Sequence, residues 1–156
     1  MNEKFDKVRH MATMEERYAS NLSSSVEDLK NIVVKEILKG IAHDSRKHAD
    51  LYNAILSILE DKDQLISDQE YNRIRSIIEK HIVVEMRMME EVKKLLDVEE
   101  DSRVKHLMME IYNDEVKHHI VMKRLLEAII RREAILEEDI WDALWKDVLG
   151  HGAPLG

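Results

Sequence analysis

The chain reads as an all-α protein, an antiparallel four-helix bundle with a short additional C-terminal helix. Three observations predict this. Turn formers are scarce: 156 residues hold four Gly and one Pro, where average usage supplies roughly eleven and eight. Gly150, Gly152, Pro154 and Gly156 crowd the C-terminus and leave Gly40 alone ahead of them. Sandwiches and α/β domains need Gly and Pro at many turns. Apolar residues recur three and four apart nearly throughout, which is helical spacing. The chain also repeats itself. At an offset of 70 residues, Glu15 falls on Glu85, Val34-Lys35 on Val104-Lys105, Ile41 on Ile111, Asp44 on Asp114, and Lys47-His48 on Lys117-His118. A bundle of two related hairpins accounts for all three.

The elements follow in order. Val8, Met11, Glu15, Tyr18 and Leu22 form one stripe and predict a helix near 3–29. Asn31 breaks the pattern. Val34, Leu38, Ile41, Ser45, His48, Tyr52, Ile55 and Leu59 predict a second helix over 32–60. The polar run Asp61-Lys62-Asp63-Gln64 interrupts it, and Ser67-Asp68-Gln69-Glu70 has the form of a capping box. Tyr71, Ile74, Ile78, His81, Glu85, Met88, Val92 and Leu95 predict a third helix over 68–98. After Glu99-Glu100-Asp101-Ser102, the stripe Val104, Met108, Ile111, Glu115, His118, Met122, Leu125 and Ile129 predicts a fourth over 102–134. Ile140, Trp141, Leu144, Trp145 and Val148 give an amphipathic helix over 137–149, expected to pack on the bundle or at a dimer contact. The tail 151–156 is expected to be disordered. Residues 1–135 thus form the bundle domain and 136–150 the C-terminal helix.

Composition narrows the chemistry. The chain is 44% hydrophobic and 36% charged, with a net charge of −8 and no Cys. Disulfides, iron–sulfur clusters and thiol catalysis are excluded. The acidic balance argues against nucleic acid and suits metal cations. No apolar run approaches a membrane span or a signal region, so a cytoplasmic protein with no membrane partner is expected.

The first four stripes carry polar groups at mid-length: Glu15, then Ser45 with His48, then Glu85, then Glu115 with His118. A buried carboxylate without a partner costs several kcal/mol, so these groups need partners or a metal. Glu115 and His118 sit one turn apart on one helix face. A Glu from a neighbouring helix would complete a set of hard oxygen and borderline nitrogen donors suited to Fe or Mn. Turns centred near residues 30 and 100 bring Glu15 level with Ser45, and Glu85 level with Glu115. A lone Glu-x-x-His is a weak signal, whereas matched heights repeated at a fixed offset are a stronger one.

The runs Lys35–Ala49 and Ile111–His119 resemble the second and fourth helices of the ferritin-like superfamily, closest to its rubrerythrin-like branch. The resemblance covers roughly residues 5–130. It implies a di-iron or manganese centre and redox activity toward O2 or peroxide, as a peroxidase- or ferroxidase-type oxidoreductase. By position it carries ligand roles to Glu15, His48, Glu85, Glu115 and His118. It makes Asp44 and Asp114 the groups that orient a ligand His. Ser45 departs from the pattern, standing where the first Glu-x-x-His has its Glu, so one metal position is incomplete unless His81 substitutes. No rubredoxin-type Cys domain is present. A metal-depleted bundle acting as an interaction or scaffold protein is the competing expectation, and iron storage or delivery is a third.

Other residues take plainer readings. His43, His106 and His119 fall off the stripes and are expected at the surface or an interface. Tyr18, Tyr52 and Tyr112 read as core or as hydrogen-bond partners of the carboxylates. The methionines read as adaptable core packing. Gly40, about a turn before Asp44, suggests a close helix approach. A homodimer is expected. The family connects helices two and three by a crossover along the bundle. With the helices as drawn that crossover spans ~44 Å, while seven extended residues reach ~25 Å. A shorter second or third helix, hairpins exchanged between two chains, or a plain up-down-up-down chain would each resolve this.

Overall fold

A computed structural model describes residues 3–60 and 67–130. The helix expected over 137–149 and the tail 151–156 lie outside the described residues. The protein is all-α, with four helices: α1 (Glu3–Ser25), α2 (Ile32–Leu59), α3 (Asp68–Val98) and α4 (Ser102–Ile130). The described residues include no strand. No described helix is long and apolar enough to cross a membrane. The chain divides into two compact units, the first ending at Gln64 and the second beginning at Leu65. The first contains the α1–α2 hairpin and the second the α3–α4 hairpin.

Local chemistry sets the boundaries. α1 stops at Ser25, four residues short of expectation, because the run Ser23-Ser24-Ser25 favours the helix weakly. The chain then tightens: Val26 N–H still donates to Leu22 O (3.2 Å), but Glu27 N–H donates to Ser24 O (3.4 Å). Val26 itself is buried. Lys35 Nζ closes this turn, donating to Glu27 O at 2.5 Å and pairing with Glu27 Oε2 at 3.1 Å. Asn31 Oδ1 caps α2 by accepting from Val34 N–H at 3.1 Å.

The capping box opens α3. Ser67 Oγ accepts from Glu70 N–H (3.3 Å), and Glu70 Oε2 accepts from Ser67 N–H (3.1 Å). At the second hairpin turn, Glu99 Oε1 accepts from Glu100 and Asp101 N–H at 2.9 and 2.8 Å. Asp101 Oδ1 then caps α4, accepting from Arg103 N–H at 2.9 Å and from Arg103 Nε at 3.0 Å. The Arg103 guanidinium and backbone bonds pull the Asp101 carboxyl down to about 2. α2 and α3 run to Leu59 and from Asp68, so shortened helices do not account for the connection between the hairpins.

The two hairpins share a register but differ at their interhelical seams. In the first, Ala12 and Ala19 of α1 and Ala42, Ser45 and Ala49 of α2 are all buried. Their spacing of three, four and seven puts them on one helix face, and their size lets the backbones approach closely. At the 70-residue offset the corresponding residues are Ile82, Met89, Tyr112, Glu115 and His119, all half-buried. Two helices bury only the seam between them. Some residues of the expected apolar stripes therefore lie beside it, with Ile41 43% and Ile111 49% exposed.

Gly40 is not a point of close approach. It is exposed, and a Cβ placed there meets no atom within 4 Å. Gly40→Ala therefore stabilises the protein by ~0.5–1 kcal/mol, through the unfolded-state entropy that glycine carries. Ser67→Ala, which removes the cap of α3, costs about 1 kcal/mol. Urea unfolding followed by circular dichroism checks both. The Asp101 carboxyl lies below its ordinary value, so its contribution to stability is present above that value and fades as pH falls. Asp101→Ala lowers the melting midpoint at neutral pH, and the difference from wild type closes between pH 3.8 and about 2.

Candidate metal centre

The second hairpin brings together three of the five expected ligands. Glu85 projects from α3 into the seam, and Glu115 and His118 sit one turn apart on α4. One ligand atom from each lies within 4.8 Å of the others. Glu85 is 6% exposed, Glu115 is half-buried and His118 is exposed. The turn before Ser102 sets this register, because it folds α4 back so that residues 85 and 115 stand opposite.

The electrostatics are those of an incomplete site. Glu85 Oε2 is buried and has no hydrogen-bond partner among the described residues. Burial pushes the Glu85 carboxyl above its ordinary range; His118 opposes the shift, Glu115 reinforces it, and His81 and His119 oppose it. A buried carboxylate beside a second carboxylate is poorly placed to hold its charge alone. A cation at this point would answer both carboxylates and could take the imidazole nitrogen as a third donor. The donor set of two carboxylates and one imidazole fits Fe or Mn.

The first hairpin is arranged differently. Glu15, and not its neighbour Glu16, turns toward α2, and His48 Nδ1 lies 3.4 Å from Glu15 Oε1. The Glu15 side chain is 22% exposed and that of His48 is 49% exposed. Ser45 is buried in the alanine seam. A Glu in its place would have to fit a gap set by Ala12, Ala19, Ala42 and Ala49. The two donors Glu15 and His48 thus meet each other, with no third ligand beside them among the described residues of this hairpin.

Several expectations need correction. Asp44 and Asp114, expected to orient ligand histidines, each accept from the lysine three residues on, Asp44 from Lys47 at 2.7 Å and Asp114 from Lys117 at 3.0 Å. A lysine three residues on lies on the same helix face and within reach of the carboxylate. Tyr18 is 54% exposed, so it is neither core nor a buried partner of a carboxylate. His119 is not a surface residue. It occupies the seam position that Ala49 holds in the first hairpin, and its Nδ1 is buried without a hydrogen-bond partner among the described residues. The internal repeat contained that signal, since the offset that aligns His118 with His48 also aligns His119 with buried Ala49. His106 is at the surface as expected, with Nδ1 2.6 Å from Ser102 O. His81 is exposed on α3, one turn before Glu85.

The fold and this cluster define a class, an all-α protein of two helical hairpins with a carboxylate–imidazole cluster in the second. No known protein family, curated protein or solved structure matches the chain.

The raised Glu85 carboxyl has a measurable consequence in metal-free protein. The folded state holds the Glu85 proton more tightly than the unfolded chain does. Stability therefore rises as pH falls through the raised value and levels off below 4.5, the group's ordinary value. Glu85→Gln removes the buried charge, so in chelator it raises the melting midpoint by a few degrees at neutral pH. That advantage shrinks toward pH 4.5, as melts over a pH series will register.

Proposed function

We propose that this chain is a ferritin-like metalloprotein of the rubrerythrin-like kind, holding iron or manganese and acting on O2 or peroxide. The observation that carries the reading is the convergence of Glu85, Glu115 and His118, with a buried carboxylate oxygen left without a partner. Iron or manganese held there supplies one-electron redox chemistry. The chain supplies the rest. Glu85 and Glu115 provide negative charge, and the buried position of Glu85 keeps water from competing for its oxygens. His118 provides a neutral nitrogen donor at the open side of the cluster, where a small oxidant has access. Glu85 must shed its proton to bind a cation, so binding releases protons and weakens as pH falls. A cytoplasmic homodimer belongs to the same proposal.

Isothermal titration of the full chain with Mn(II) tests it. Saturable binding that Glu85→Ala and His118→Ala each abolish is the expected result. Cation at one hundred times its dissociation constant should also stabilise the fold by ~2.7 kcal/mol, visible as a rise in melting midpoint. Light scattering after size exclusion reads the dimer.

The buried Ser45 and the contact between Glu15 and His48 favour a second reading, in which the hairpins serve as an interaction scaffold that holds no metal. Melting midpoints indifferent to both Fe(II) and Mn(II) would select it.

A further inference from the structure

In the second hairpin, Glu85 Oε2 on α3 and His119 Nδ1 on α4 are buried and have no hydrogen-bond partner among the described residues. They belong to neighbouring turns of facing helices. With residues 85 and 115 opposite, His119 stands one turn beyond Glu115, on the seam. His118 and His119 flank Glu115 on the α4 surface, about 60° to one side of it and about 40° to the other. His118 is exposed and takes its place in the cluster, while His119 is turned inward. His119 also lies within electrostatic reach of the Glu85 carboxyl. Packing does not require a histidine there, because the matching position in the first hairpin is Ala49.

We propose that His119 is a positioning residue for Glu85. Its Nδ1–H donates to the Glu85 carboxylate oxygen that a cation leaves free, and so holds the other oxygen toward Glu115 and His118. The inference rests on the metal reading above and deepens it. Both unpartnered atoms are satisfied by one hydrogen bond, and the carboxylate is held in its charged form without a second cation. An N–H donor also fixes the ring tautomer, leaving Nε2 as the acceptor. His81 is exposed, at the same height on α3, and is not part of this arrangement.

The full chain tests this with Mn(II) titration and with nitrogen-15 NMR of the Zn(II)-loaded protein. Loss of a group that orients a ligand typically weakens metal binding ~10–100-fold. His119→Ala is expected to show a loss of that size, and His81→Ala little change. His119→Asn places an amide N–H near the Nδ1 position and is expected to recover most of the affinity. In the Zn(II) form, Nδ1 of His119 should be protonated and not metal-bound. Wild-type affinity in His119→Ala overturns the proposal. So does Asn that is no better than Ala, which would make the residue a packing element, and so does a metal-bound or unprotonated Nδ1. If wild-type protein binds no divalent cation, this inference and the metal reading fall together. If wild type and His119→Ala bind alike, the inference alone falls.

Discussion

A carboxylate set into the seam between two helices has to be answered by something, and Glu85 is the point at which this protein meets that requirement. Its neighbours on α3 are the ordinary packing residues Ile78, Ile82 and Met89. Burial there disfavours the charged form, and the approach of Glu115 adds to the penalty. The arrangement is tolerable if the carboxyl keeps its proton or if a cation joins the two acids. Everything else at the site follows from that choice. His118 stands one turn from Glu115 with a nitrogen donor, and the imidazoles of His81 and His119 lie within electrostatic reach.

The two hairpins differ in the residues that line their seams. Both carry one residue pattern, repeated at an offset of 70 residues. In the first, three buried alanines and a buried serine line the seam beside a fourth alanine, also buried. Glu15 and His48 then reach each other along its edge at 3.4 Å. In the second, the larger residues Ile82, Met89, Tyr112, Glu115 and His119 occupy the matching places, each half-buried. Ser45 is thus more than a missing ligand. It belongs to a set of small residues that would all have to change before a glutamate could be seated there.

The helices themselves are held by local chemistry that needs no partner element. Asn31, Ser67 and Asp101 each satisfy backbone N–H groups at the start of a helix. Glu99 fixes the second hairpin turn, and Lys35 ties down the first through Glu27. These contacts set the height at which residues on paired helices face one another. Those at the turn between α3 and α4 therefore help to align Glu85 with Glu115.

Much of this was legible in the amino-acid sequence, because helix periodicity, capping residues and turn spacing are local properties. The all-α class, the four helices and the facing of Glu85 with Glu115 follow from composition, stripes and the interval between turns. Other features depended on which side of a helix meets its neighbour, a difference of some 40–100° that hydrophobic spacing does not resolve. Ile41 and Ile111 follow the helical period yet lie beside the seam, and Gly40 faces open space. Asp44 and Asp114 turn to lysines one turn away. His119, one residue from an expected ligand, is carried into the seam by the same rotation that leaves His118 at its edge. The sequence by itself determined the elements and their heights; only the tertiary structure decided which residues share an interior, because burial depends on the facing helix as much as on the residue.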